Sequence, residues 1–167
     1  MVFLAFALFS CNSTDDEIIS PNDEVYYDYS LIDINISSIS YGQNIGPDYF
    51  EQQVTVHYFG HQNWGTCTAR VGQLNELYEN LISEGTYDVK IIAIGKGQYI
   101  ADNLYWTLGH SIPVVVDPSP NTLWTEWAAS QRDLFFLDSN GNYITDFNIS
   151  EWDYNAIYNQ IQALLPE

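Results

Sequence analysis

Basic residues are almost missing from this chain. Arg70, Lys90, Lys96 and Arg132 are the only four among 167 residues, against 22 Asp and Glu, for a net charge of −18. A surface of that sign repels phosphate backbones and anionic lipid headgroups, so no nucleic-acid partner is expected. Cysteine is nearly as scarce, with Cys11 and Cys67 the only two. Should Cys11 be modified, Cys67 has no partner within the chain for a disulfide. A zinc site needs a tetrad that the sequence does not display, so no metal is expected. Gly95-Lys96-Gly97 lacks the spacing of a phosphate-binding loop, and no other motif calls for a cofactor. No internal repeat is visible. The amino-terminal apolar run, residues 1–10, is too short to span a bilayer. What is present is core-forming material. Hydrophobic residues make up 46% and aromatic residues 16%, enough for one domain with a leader and a tether.

Residues 1–10 read as a signal-peptide core. Leu8-Phe9-Ser10-Cys11 resembles a bacterial lipobox, which implies acylation of Cys11 and attachment to a membrane in the cell envelope. A plain cleaved secretory signal is the alternative. Asp15-Asp16-Glu17 resembles the acidic tag of lipoproteins on the outer-membrane surface; a solvated tether is the alternative there. Residues 11–40 form an acidic tether ending in a possible edge strand, where residues 31–36 alternate with period two. Residues 41–167 hold the domain.

Within that domain the pattern becomes regular. Residues 53–59 are expected to be a buried strand. Residues 66–84 are expected to be a helix, with Leu74, Leu77, Tyr78, Leu81 and Ile82 on one face and Gly85 closing it. Residues 89–94 are a continuous apolar run, as an interior parallel strand should be. Residues 98–108 and 121–130 read as helices, and 112–117 as a short strand. Residues 134–137 and 143–147 flank Asn140-Gly141, a hairpin signal. Ser150 with Asp153 resembles a capping box. The last helix should bury Tyr154, Ile157, Tyr158, Ile161, Leu164 and Leu165 before Pro166.

The order βαβα(βα)ββα resembles the thioredoxin-like superfamily. The resemblance spans about residues 40–166. It rests on Val54-Thr55-Val56, the Leu74 and Leu77 rhythm, Ile112-Pro113-Val114, and Asp133 to Asp138 with Gly141. It is nearest to redoxin and peroxiredoxin-like envelope proteins and to the amino-terminal domain of selenoprotein P. The implied fold class is α/β: a thioredoxin-like fold, its central mixed sheet flanked by helices, with a peroxiredoxin-like strand–helix insertion at residues 112–130. The implied active-site loop contains His61, Trp64, Gly65, Thr66 and Cys67. The family's Cys-x-x-Cys pair falls on Trp64-Gly65-Thr66-Cys67, a degenerate motif. The attacking thiolate sits at the first position of such a pair, and here that position is Trp64. Arg132 falls where thioredoxins carry a cis-proline and peroxiredoxins an arginine. That placement would set a positive charge near Cys67 and favour its thiolate; a surface salt bridge is the alternative. Pro113 is then a strand-start proline, with a cis peptide as the other reading.

The remaining candidates carry plainer alternatives. His57 lies inside an apolar strand and reads as a satisfied core histidine. His61 can pair with Cys67. His110 precedes a strand. Trp64 is either a plug over the loop or an exposed aromatic that grips a ligand. Trp106, Trp124, Trp127 and Trp152 read as core. Two functions compete: a binding or structural module that has lost dithiol catalysis, or a single-cysteine, peroxidase-like redox enzyme using Cys67 with Arg132. A partner protein thiol is compatible with either.

Overall fold

The computed structural model describes residues 27–166. Cys11, the expected signal and the acidic tag lie outside them. The centre is a five-stranded sheet in the order β5-β4-β3-β6-β7. Its strands are β3 (Val54–Phe59), β4 (Val89–Lys96), β5 (Val114–Asp117), β6 (Asp133–Leu137) and β7 (Tyr143–Asn148). The first three run parallel, and β6 and β7 pair antiparallel. The sheet is therefore mixed, with helices on both faces, as the element order predicts.

Period-two alternation sorts the strand residues between two cores. Val54, Val56 and Tyr58 of β3 face one side with Ile91, Ala93, Val114, Leu134 and Phe136. Helix α1 (Gly65–Ser83) covers that side with Cys67, Val71, Leu74, Leu77 and Leu81. Phe59, Ile92, Ile94, Val115, Phe135 and Leu137 face the other side, against Leu123, Trp124 and Trp127. Burying each large apolar side chain contributes about 1.5–3 kcal/mol. Helix α1 ends as expected: Gly85 takes φ +90°, and the Thr86 N–H reaches back to the Leu81 carbonyl.

Several elements differ from expectation, each for a local reason. Residues 31–36 do not form a ladder with the main sheet. Only β1 (Leu31–Ile32) is a strand, paired with β2 (Asn44–Ile45) in a separate two-stranded sheet. The Asp33 carboxylate captures the Asn35 N–H, and the Asn35 side chain captures the Ser37 N–H, so the chain turns away. Tyr27, Tyr29 and Leu31, read as tether and edge strand, pack on the second core. The helix expected at 98–108 splits into a 3-10 segment, Gly97–Asp102, and α2 (Leu104–Thr107), with Tyr99 non-helical between turns. The helix expected at 121–130 shortens to α3 (Thr122–Glu126), because Ala128 turns left-handed at φ +48°. The last helix, α4 (Tyr154–Gln162), is capped by Asp153, which accepts the Ala156 N–H. Ser150 is no part of that cap, its hydroxyl being held by Arg132 and Asn148. The cis peptide is Ser119–Pro120, and Pro113 is trans.

Candidate active-site loop

The loop between β3 and α1 is pinned at three points. Gly60 is required by contact: a Cβ there would sit 2.8 Å from the Tyr58 ring and 2.9 Å from Trp106. Gln62 is fully buried and works as a clamp. Its carbonyl accepts the Lys96 N–H at 3.0 Å, and its amide donates to the Lys96 carbonyl and to Asn103 Oδ1. Gly95 leaves the space for that side chain, since a Cβ there would lie 2.2 Å from the Gln62 amide. Trp64 is the residue before α1, and its carbonyl accepts the Thr68 N–H at 3.0 Å.

Cys67 lies in the first turn of α1 and points into the core, fully buried. Gln131 Nε2 donates to its sulfur at 3.2 Å. The Tyr58 hydroxyl is buried close by, beside the sulfur, and makes no other hydrogen bond among the described residues. Burial, and then the neighbouring Cys67, push the Tyr58 pKa far above the ordinary tyrosine range, while the charges of Arg132 and Arg70 pull it down. Gly65 and Thr66 are exposed at the helix start.

Arg132 follows Gln131 directly and is held in the left-handed region at φ +74°, a conformation that costs a non-glycine residue about 1 kcal/mol or more. Its backbone compensates on both sides. The N–H donates to Phe59 O at 2.7 Å, and the carbonyl accepts the Ile149 N–H at 2.8 Å. Its Nε donates to Ser150 Oγ at 2.8 Å, so the side chain rests on a neutral hydroxyl rather than in the salt bridge considered above. Arg70 closes on the same turn through the carbonyls of Ile149 and Ser150.

His61 does not pair with Cys67. Its ring packs 5.0 Å from Tyr99, 5.4 Å from Trp124 and 6.1 Å from Trp64, centroid to centroid. Both of its ring nitrogens are buried without a partner among the described residues. Burial, then the charges of Lys96 and Arg132, lower its pKa. Lys96 Nζ lies 4.0 Å over the Trp124 ring, a cation–π contact. Trp64 is 51% exposed, so it is no plug over the loop. Beside it a shallow cavity of about 430 Å³ is lined by Gln62, Asn63, Gly65, Thr68, Asp102 and Tyr105. His57 is a satisfied core histidine, held by the Tyr29 hydroxyl at Nδ1 and Thr55 Oγ1 at Nε2. His110 is held by the Trp106 carbonyl at Nδ1. Among the described residues no group of three or more His, Cys, Asp or Glu gathers to hold a metal ion.

Sequence reasoning brought Cys67, Trp64 and His61 to one loop and missed Tyr58, Gln62 and Gln131. Tyr58 had a signal: it shares the parity of Val54 and Val56 and therefore the α1 face. The two glutamines, Gln62 buried and Gln131 partly buried, had none, because a lone amide sets no periodicity.

In overall structure the chain is similar to a protein assigned as a disulfide isomerase from Bacteroides thetaiotaomicron, with a TM-score of 0.68 and 16% identity, covering 86% of this chain and 89% of that one. It is similar to a secreted Mycobacterium tuberculosis disulfide oxidoreductase homologous to E. coli DsbE, with a TM-score of 0.60 and 13% identity over 81% of this chain and 96% of that one. It is also similar to the thioredoxin domain of a thiol-disulfide oxidoreductase from Bacteroides vulgatus, with a TM-score of 0.64 and 10% identity over 86% and 97% of the two chains. No family model and no curated protein matches the chain. The fold is thus thioredoxin-like, an α/β fold whose central mixed sheet is flanked by helices. Chemistry does not follow from fold, and has to be argued from the loop itself.

Proposed function

We propose that this chain is a cell-envelope protein of thiol–disulfide oxidoreductase ancestry that has lost dithiol turnover and serves as a binding or structural module, anchored through lipid on Cys11. The observation that carries the reading is the pairing of positions 64 and 67: a half-exposed tryptophan precedes the helix, and the only sulfur of the loop is fully buried under Gln131. Exchange needs an exposed thiolate to attack and a second thiol to resolve the mixed disulfide. Envelope placement draws on the amino-terminal residues and on the secreted mycobacterial neighbour. The purified chain should not accelerate insulin reduction by dithiothreitol beyond the reagent blank; turnover above the blank refutes the loss of dithiol activity. Palmitate labelling in a bacterial host should vanish in Cys11→Ala, and persistent labelling refutes the anchor.

A second reading is a single-cysteine redox enzyme. It draws on the buried Tyr58 hydroxyl beside Cys67 and on Arg132, which directly follows the Gln131 that contacts the sulfur. In that reading the Cys67 thiolate attacks a peroxide, giving a sulfenic acid and releasing water or an alcohol. Rapid sulfenic-acid trapping in native protein, slowed in Arg132→Ala, selects this reading over the first.

A further inference from the structure

Helix α1 starts on a residue ill suited to a helix start. Trp64 holds the capping position with extended φ and ψ and gives no side-chain cap, where Ser, Thr, Asp or Asn would stabilise the first turn. It also leaves half of an indole in solvent. The chain forgoes local stability between Asn63 and Gly65, two residues that line the cavity of about 430 Å³. That volume is in the range of small-molecule sites. One wall of the cavity is the loop and the start of α1, with Asn63, Gly65 and Thr68; the other is Asp102 and Tyr105, from the 3-10 segment and α2. Gln62 is fully buried, and its bonds to the Lys96 carbonyl and Asn103 Oδ1 tie the two walls together. The opening is therefore held in place before a ligand arrives.

The lining selects the ligand. The side chains of Asn63, Thr68 and Asp102 and the Tyr105 hydroxyl make no hydrogen bond among the described residues. They offer a carboxylate that accepts, an amide that both donates and accepts, and two hydroxyls that do either. Tyr105 is 62% exposed and adds an aromatic face. Gly65 keeps the rim open, since a Cβ there would meet nothing within 4 Å. A ligand matching this set carries hydroxyls around its edge and an apolar face for the ring, as a sugar does. No Lys or Arg lines the cavity and the chain carries −18, so phosphate, sulfate and uronate groups are disfavoured. A cation would engage the one carboxylate, Asp102, and leave the amide and the hydroxyls unused.

We infer that this cavity binds a neutral saccharide, with Asp102 and Asn63 holding neighbouring hydroxyls and Tyr105 lying against the C–H face of the sugar ring. The inference rests on the binding-module reading and supplies its ligand class. The test uses the full chain with maltose, cellobiose, lactose and N,N′-diacetylchitobiose, read by saturation-transfer NMR and calorimetry. Saturable binding of at least one is expected. Tyr105→Ala combined with Asp102→Ala should weaken it tenfold or more, with the fold intact by circular dichroism, since neither side chain is buried. Leu108→Ala, 73% exposed and outside the cavity, should bind as wild type does. A phosphorylated counterpart of the bound sugar should bind several-fold more weakly. The inference is overturned if none of the four sugars binds, if the double variant binds as wild type does, or if the phosphorylated sugar binds equally well. Binding of spermidine in preference to every sugar would assign the cavity to a cation and overturn it as well. The insulin assay separates the two readings: turnover above the blank with sugar binding intact refutes the loss of dithiol activity, whereas no turnover and no sugar binding refutes this inference alone.

Discussion

His57 offers a test of the core that needs no knowledge of function. The ring sits inside β3, fully buried between Tyr29 and Thr55, and edge-on to Trp127 at 5.0 Å. A neutral imidazole satisfies both neighbours, one nitrogen donating and the other accepting. Burial lowers its pKa from 6.5 to about 3. The unfolded chain therefore takes up a proton below pH 6.5, while the native protein does not until about pH 3. Stability from the neutral ring is fully present above pH 6.5 and drains away as pH falls toward 3. The loss is about 1.4 kcal/mol per pH unit, or roughly 2 kcal/mol on going from pH 7 to pH 5. His61, whose pKa burial also lowers, contributes a loss of the same sign in this window, so the difference between wild type and a His57 variant is what reports on His57. The assay is urea unfolding at pH 7, 6 and 5 for wild type and His57→Gln, whose amide keeps hydrogen-bonding capacity without titrating. The wild type should lose about 2 kcal/mol more than the variant across the same window. Equal losses in the two proteins would refute the claim that His57 is buried neutral.

Two further outcomes test the clamps around the site. Gly95→Ala drives a Cβ to 2.2 Å from the Gln62 amide, so it should cost about 1–3 kcal/mol; in Gln62→Ala the same change should cost far less, a non-additivity readable by thermal unfolding of the double-mutant cycle. The buried Asp33 carboxylate accepts from Asn35 N, Val114 N and Ser40 Oγ. Asp33→Ala strands those donors and should lower stability in urea by about 2–4 kcal/mol; a loss under 0.5 kcal/mol would show that the turn does not depend on it.

How much of this was legible follows from where each residue finds its partners. Strands β3 and β4 and helix α1 were readable because their apolar residues repeat at two or 3.6 and bury accordingly. Segments steered by side-chain amides and carboxylates were not. The run from Leu31 to Ile36 has a strand's alternation, yet Asp33 and Asn35 hold backbone groups and turn it into a brace against β5. The helix expected at 98–108 has helical composition, yet Gln62, far away in sequence, ties the Lys96 backbone and Asn103, and Tyr99 near its start is not helical. The candidate site divides along the same line. Cys67 shares the α1 face with Val71, Leu74 and Leu81, so the period that predicts the helix also predicts a buried sulfur. Trp64 stands one residue before the helix with extended φ and ψ, where no helical phase applies, and its half-exposure could not be read from spacing. Gln131 meets the sulfur from a turn whose next residue, Arg132, is held left-handed between Phe59 and Ile149. A motif read along the chain can therefore locate the loop, but whether its sulfur is offered or withheld depends on a strand edge more than sixty residues away.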